Sequence, residues 1–309
     1  MPKPPLRREV GRASPPTSTP EVVDPRWLIK AFLIMVLIAL VCGYLTLCGL
    51  YYRGQWQLVL HPARTSAPST LAGGVPFEVI RFGAQTTGVP QLTGWWIPAR
   101  PGAVYAHLTF LYLRGGDGSL ADDQAMLGSL HDLGASIFAV DYRGYGQSAD
   151  LHPSEQSMEE DANTAWTYLT GSRGLQSANI IPYGSRLGAS LVLGLASSAC
   201  PVSAIILDEP DFNVVDRVEK DPRSRIVPVR LLFHNRFALL PALDQIKVPK
   251  LILTRGTAED PAALRAADPK MTVVLPSSSP GQYVATVKRF LDLYAPPTPA
   301  PWLVPTRTP

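Results

Sequence analysis

Attack on an acyl carbon by a serine requires the hydroxyl at the apex of a tight strand-to-helix turn, with small residues two positions before and two after it. The chain supplies that frame in "IPYGSRLGAS", residues 181–190: a β-type run, Ala178–Ile181, enters Gly184, and a helical pattern rich in small residues leaves Gly188. Between the two glycines stands Arg186. A guanidinium stays protonated and offers no lone pair for attack, so ordinary acyl-enzyme chemistry is not expected of this turn. Ser185 is the neighbouring hydroxyl, but an apex there would put Tyr183 and Leu187 where small residues are needed.

The surrounding chain has 309 residues, 46% hydrophobic and 17% charged, which is compatible with a sizeable core. Net charge is +3 and the basic residues are scattered, so no nucleic-acid partner is expected. Cys42, Cys48 and Cys200 are too few and too dispersed for a disulfide framework or a paired-cysteine metal site. Neither a metal nor a cofactor is expected. "RGGDG" (114–118) resembles a phosphate-cradling loop only in its glycines and lacks the lysine of a P-loop.

One segment points to a membrane. Ala31–Leu50 is free of charge, and a run of about twenty residues crosses a hydrocarbon core of ~30 Å at ~1.5 Å per residue. Trp27 precedes it, and Tyr51, Tyr52 and Trp56 follow, where an aromatic belt would sit. A cleaved signal peptide is the alternative, but no small-x-small site closes the run. Six basic residues from Lys3 to Lys30 precede it, and only Arg53 and Arg64 follow closely. That bias keeps the N-terminus in the cytoplasm and sends the bulk of the chain to the outer side of the cytoplasmic membrane. The expected organisation is a proline-rich basic tail (1–26), a single transmembrane helix (27–52), one domain (57–295) with an insertion at about 212–245, and a proline-rich tail (296–309).

Within the domain, "PFEVIRF" and "QLTGWWIPA" read as two antiparallel strands. Short β-rich runs then alternate with amphipathic stretches up to a last helix at Gln282–Tyr294. Such alternation implies a mostly parallel sheet with helices on both faces, an α/β fold. Several motifs carry a resemblance: "VDYRGYGQS" (140–148), "PSEQSMEEDANTAWTYL" (153–169), "LYLRGGDGS", the turn around Arg186, "IILDEPDF" and "VPKLILTRGTAED". In order and spacing they resemble the Bem46-like, serine-aminopeptidase-type branch of the α/β-hydrolase superfamily, many members of which carry one N-terminal span.

The resemblance implies a Ser–acid–His triad and an oxyanion hole at the carboxyl ends of the strands. It places the nucleophile at Arg186 and the acid at Glu259 or Asp260. The histidine belongs in the loop after "MTVVLP", which reads "SSSPGQY", and no histidine follows His234. Of the five histidines, His61, His131 and His152 are expected at the surface or as caps, and His107 at the opposite edge of the sheet. His234 alone is expected to overhang the site. Arg114 replaces the histidine that similar enzymes carry before the oxyanion glycines, while the N–H groups near Gly115 or Gly116 and that of Leu187 keep the backbone of the hole. Arg114 and Arg186 are thus expected to converge on one pocket. A cation at a helix N-terminus is disfavoured by roughly 0.3–1 kcal/mol, so Arg186 needs an anion. Two sources are open: an internal partner among Glu259, Asp260, Asp117 and Asp208, or an external carboxylate or phosphate held by Arg114, Gly115, Gly116, Arg186 and Leu187. The expected function is an inactive hydrolase-fold binding or scaffolding module. The alternative is an esterase, amidase or peptidase with a rearranged site using Ser185 or one of Ser277, Ser278 and Ser279.

Overall fold

The computed structural model describes residues 24–68, 74–84, 88–198, 201–256, 260–275 and 280–296. Contacts divide the chain into two compact units, one ending at Leu50 and the other beginning at Tyr51. Helix α1 (Pro25–Gly54) contains the apolar run. Its best window has a mean hydropathy of 2.6, and none of that window is buried. Apolar residues occupy every face, the composition of a helix meant for lipid or a large core. Among the described residues it is the one helix long and apolar enough to cross a membrane.

The second unit is built on an eight-stranded sheet. Its strands are β1 (Glu78–Ala84), β2 (Pro90–Ile97), β3 (Thr109–Leu113), β4 (Ser136–Asp141), β5 (Ile180–Ser185), β6 (Ile205–Asp208), β7 (Lys250–Arg255) and β8 (Lys270–Leu275). They lie in the order β1-β2-β4-β3-β5-β6-β7-β8. β2 runs antiparallel to β1 and β4, and all other neighbours are parallel. This is the expected fold class. Helices α2 (Gln124–His131), α3 (Glu155–Thr167), α4 (Gly188–Ser197), α5 (Val214–Lys220) and α6 (Pro280–Tyr294) complete the unit.

The core follows from side-chain alternation along the central strands. Leu111, Leu113, Phe138 and Val140 face one cluster with α3 and α4. Phe110, Tyr112, Ile137 and Ala139 face the other, with α2 and α6. Both faces are covered, so these strands read as continuous apolar runs, and each large side chain buried in them contributes about 1.5–3 kcal/mol. Helix α6 shows the matching period: Tyr283, Val287, Phe290 and Leu291 share its buried face.

Two of the quoted motifs meet in space. Arg143 of "VDYRGYGQS" donates from Nε to Asp161 Oδ1 at 2.6 Å and from Nη2 to Glu160 at 2.7 Å, tying the turn after β4 to α3. Ser154 caps α3 by accepting from the Ser157 N–H at 3.1 Å. Between β6 and β7 the chain leaves the sheet for α5 and three short helical turns, whose Val214, Val218, Phe233, Phe237 and Leu239 are buried against the first cluster.

Candidate functional site

The turn around Arg186 has the geometry its glycines imply. β5 ends at Ser185, α4 begins at Gly188, and Arg186 adopts a left-handed φ of 53°. A Cβ on Gly188 would lie 2.1 Å from the Leu113 carbonyl oxygen, and one on Gly184 would lie 2.6 Å from Ala189 Cα. Only glycine lets β3, β5 and α4 approach this closely. The turn is closed by the Arg186 N–H donating to the Asp208 carbonyl at 2.8 Å. An L-residue in this conformation costs roughly 1–2 kcal/mol, so the sequence holds a strained apex with an arginine on it.

Arg114 departs from expectation. Its side chain is 1% exposed and does not share a pocket with Arg186. The loop after β3 folds back around the guanidinium. Nε donates to Asp123 Oδ2 at 3.0 Å, and Nη2 donates to the carbonyls of Asp117 at 2.5 Å and Ser119 at 3.0 Å. Tyr145 lies 5.5 Å from the guanidinium carbon, and its hydroxyl donates to the Gly116 carbonyl at 2.9 Å; Tyr142 does the same to the Arg114 carbonyl at 3.1 Å. The physical reason is burial: a cation without solvent needs oxygens on several sides, and the doubled glycine lets the backbone supply them. The two motif tyrosines therefore pin the loop, a role that their spacing in the sequence did not reveal.

Beside the apex lies a cavity of about 300 Å³, lined by Arg186, Leu187, Gly116, Asp117 and His61 and, across from them, by Asp211, Arg217, Asp221 and Arg223 from the segment after β6. His61 is the second correction. It is exposed, as expected, but it also lines the cavity: residues 61–62 pair with 117–118 in a two-residue parallel bridge, and its Nδ1 bonds Asp117 Oδ1 at 2.7 Å. An imidazole thus stands at the site, supplied by the segment before β1 and not by the loop after β8.

Arg186 meets the other oxygen of Asp117 at 3.4 Å. Of its candidate partners among the described residues (Asp117, Asp208 and Asp260), Asp117 is the one used. Among the described residues its guanidinium, 56% exposed on the side chain, makes no hydrogen bond within reach of a normal N–H···O contact. Neither the Gly116 N–H nor the Leu187 N–H meets an acceptor among the described residues. The cations opposite are better satisfied: Arg223 clasps Asp221 through two bonds at 2.9 and 3.0 Å, and Arg217 pairs with Asp211.

The remaining expected residues fall elsewhere. Asp260 accepts from the Ala262 N–H at 2.8 Å, capping a helical turn at 261–264. Glu259, Ser277, Ser278 and Ser279 lie outside the described residues. Ser185 is the half-buried last residue of β5. Asp208 is 2% exposed and accepts from the Tyr183 hydroxyl at 2.6 Å, which in turn accepts from Tyr283 at 3.0 Å, and burial raises its carboxyl above the ordinary range. His234 does not line the cavity; Gln55 holds it at 2.8 Å, and the Tyr52 ring lies 4.7 Å away. His131 is buried beside the Pro98 carbonyl at 3.2 Å, against the expectation of a surface position. His152 packs edge-on against Trp56, and His107 lies in the turn before β3.

The fold has counterparts among known proteins. An uncharacterized protein of Mycobacterium tuberculosis is 30% identical over 258 residues, covering 80% of this chain and 87% of the relative. The alpha/beta hydrolase domain-containing protein 17C of Homo sapiens is 31% identical over 129 residues, 41% of this chain and 36% of that protein. Among solved structures, an esterase of Pyrococcus furiosus covers 77% of this chain and 98% of its own, with a TM-score of 0.55 at 17% identity. The chain has the α/β-hydrolase fold. An esterase of the bacterial hormone-sensitive lipase family matches at a TM-score of 0.51 and 19% identity over 71% of this chain. No family model matches. Likenesses at these identities concern the fold, and activity belongs to the site.

Proposed function

We propose that this α/β-hydrolase-fold protein is a single-span protein of the cytoplasmic membrane, with its N-terminus inside and its domain outside, and that it binds a small carboxylate- or phosphate-bearing ligand instead of hydrolysing one. The reading takes the resemblance of its motifs to the Bem46-like branch as its guide, with a cation at the position of the attacking residue. One observation carries the reading: Arg186 projects from the strained apex, and among the described residues its guanidinium has one ion contact, at 3.4 Å, and no hydrogen bond. Beside it stand the N–H groups of Gly116 and Leu187, which meet no acceptor among the described residues. A bidentate anion suits that combination, and it need displace only the outer oxygen of Asp117, which His61 continues to hold. Strain kept at an apex whose residue cannot attack supports selection for placing the guanidinium there.

A fluorophosphonate probe tests the loss of hydrolysis. The purified full-length chain in detergent should remain unlabelled under conditions that label an active serine esterase completely, and should not turn over p-nitrophenyl acetate above the solution rate. Stoichiometric modification of a serine would overturn the reading.

A further inference from the structure

A basic and apolar strip on the segment after β6 lies against the residues that follow the apolar run. Residues 222–238 read "PRSRIVPVRLLFHNRFA" and carry four arginines and no acid. Burial alternates along the strip. Val227, Val229, Phe233 and Phe237 face the domain, while Arg225, Ile226, Arg230, Leu231 and Arg236 face outward. Leu231 at 80% and Ile226 at 67% are the two most exposed large apolar side chains outside α1 among the described residues. One such residue needs no explanation; two on a strip of arginines need a partner that is apolar and anionic at once. Neither Arg225 nor Arg236 has an acidic partner among the described residues, whereas Arg230 is held by Asp216 and Glu219.

Contacts within one compact unit tie the strip to residues 51–55. The Tyr51 hydroxyl lies 3.2 Å from Ser224 Oγ, Gln55 Nε2 donates to the Leu232 carbonyl at 3.2 Å, and the His234 N–H donates to Gln55 Oε1 at 2.9 Å. Tyr51 is the residue directly after Leu50, where the apolar run ends.

We infer that residues 222–236 make a second contact with the bilayer: Ile226 and Leu231 enter the boundary between headgroups and acyl chains, and Arg225 and Arg236 bind the phosphates of anionic lipids. The occupant of this surface is the lipid headgroup layer, by charge complementarity and by continuity with the span. The inference rests on the reading of α1 as that span. Arg223, at the start of the strip, also lines the elbow cavity, so the contact holds the mouth of that site close to the lipid surface.

Nitroxide labels test it in the full chain, reconstituted into vesicles of phosphatidylcholine with a minority of phosphatidylglycerol. With Cys42, Cys48 and Cys200 replaced by alanine, single labels are placed through Leu37→Cys, Ile226→Cys, Leu231→Cys and Val104→Cys. The ratio of collision with a water-soluble nickel chelate to collision with oxygen should be lowest at 37 and highest at 104. At 226 and 231 it should fall severalfold below the value at 104. Equal values at 226, 231 and 104, with 37 in hydrocarbon, would overturn this inference and leave the span standing. A water-exposed label at 37 would overturn both. Amide exchange of the unsubstituted chain is the second measurement: exchange across 225–232 should slow severalfold when phosphatidylglycerol is added to phosphatidylcholine vesicles, and the Arg225→Glu/Arg236→Glu variant should lose that slowing. Exchange that ignores the lipid charge contradicts the contact.

Discussion

Arg114 and Arg186 stand at the carboxyl ends of adjacent strands, β3 and β5. They have opposite fates. Arg114 is sealed, with a carboxylate, two carbonyls and an aromatic ring around it, and only Nη1 lacks a partner. Arg186 is more than half exposed and loosely paired. The flanking backbone decides the difference. The loop after β3 has two consecutive glycines and can wrap a side chain, whereas the turn around Arg186 is tightly packed between β5 and α4 and can only project one. An arginine in the first setting is part of the structure; in the second it stays exposed at the rim of the cavity.

Removing the support of each arginine should separate them, and the largest effect is expected at Arg114. Asp123→Ala leaves a buried cation without its carboxylate and should cost about 3–5 kcal/mol, whereas Arg186→Ala should change stability by less than about 1 kcal/mol; urea unfolding followed by tryptophan fluorescence measures both. Equal costs would remove the distinction. Next is Asp141, which lies near Arg114 and whose carboxyl burial raises to about 6. The folded state then holds its proton to higher pH than the unfolded state, so this group's contribution to stability falls as pH rises from about 4 to about 6 and is flat above. Over that window the stability of the natural chain relative to Asp141→Asn should drop by up to about 3 kcal/mol. A pH-independent difference between the two would contradict the burial argument.

Effects at the elbow are smaller and differ in sign. Arg186→Gly relieves the left-handed backbone and should raise stability by about 1 kcal/mol while weakening phosphate binding. Loss of stability would mean that the guanidinium contributes more to the fold than its single contact suggests. Asp117→Ala removes only a rim carboxylate, so stability should change by less than about 1 kcal/mol. It should tighten phosphate binding, because the internal competitor for Arg186 is gone; weaker binding in calorimetry would count against displacement of Asp117.

The fold was legible because its signals are local and repeated. Apolar runs with turn residues at their ends marked β3 to β7, and Gly184 and Gly188 marked the elbow through a steric demand that any sequence with this turn must meet. What the sequence hid was non-local. His61 reaches the cavity through a two-residue bridge to 117–118 that no periodicity announces, and a search confined to the loop after β8 passes over it. The burial of Arg114 was equally hidden, since it depends on Tyr142, Tyr145 and Asp123 closing around a loop whose glycines read as an open hole.

Calorimetric titration of the full-length protein with inorganic phosphate tests most directly whether the elbow is a receptor for anions. Saturable binding at one site, abolished by Arg186→Ala and retained by Arg217→Ala at reduced affinity, is the expected result. No binding by the natural chain, or equal binding by the natural chain and Arg186→Ala, would contradict it.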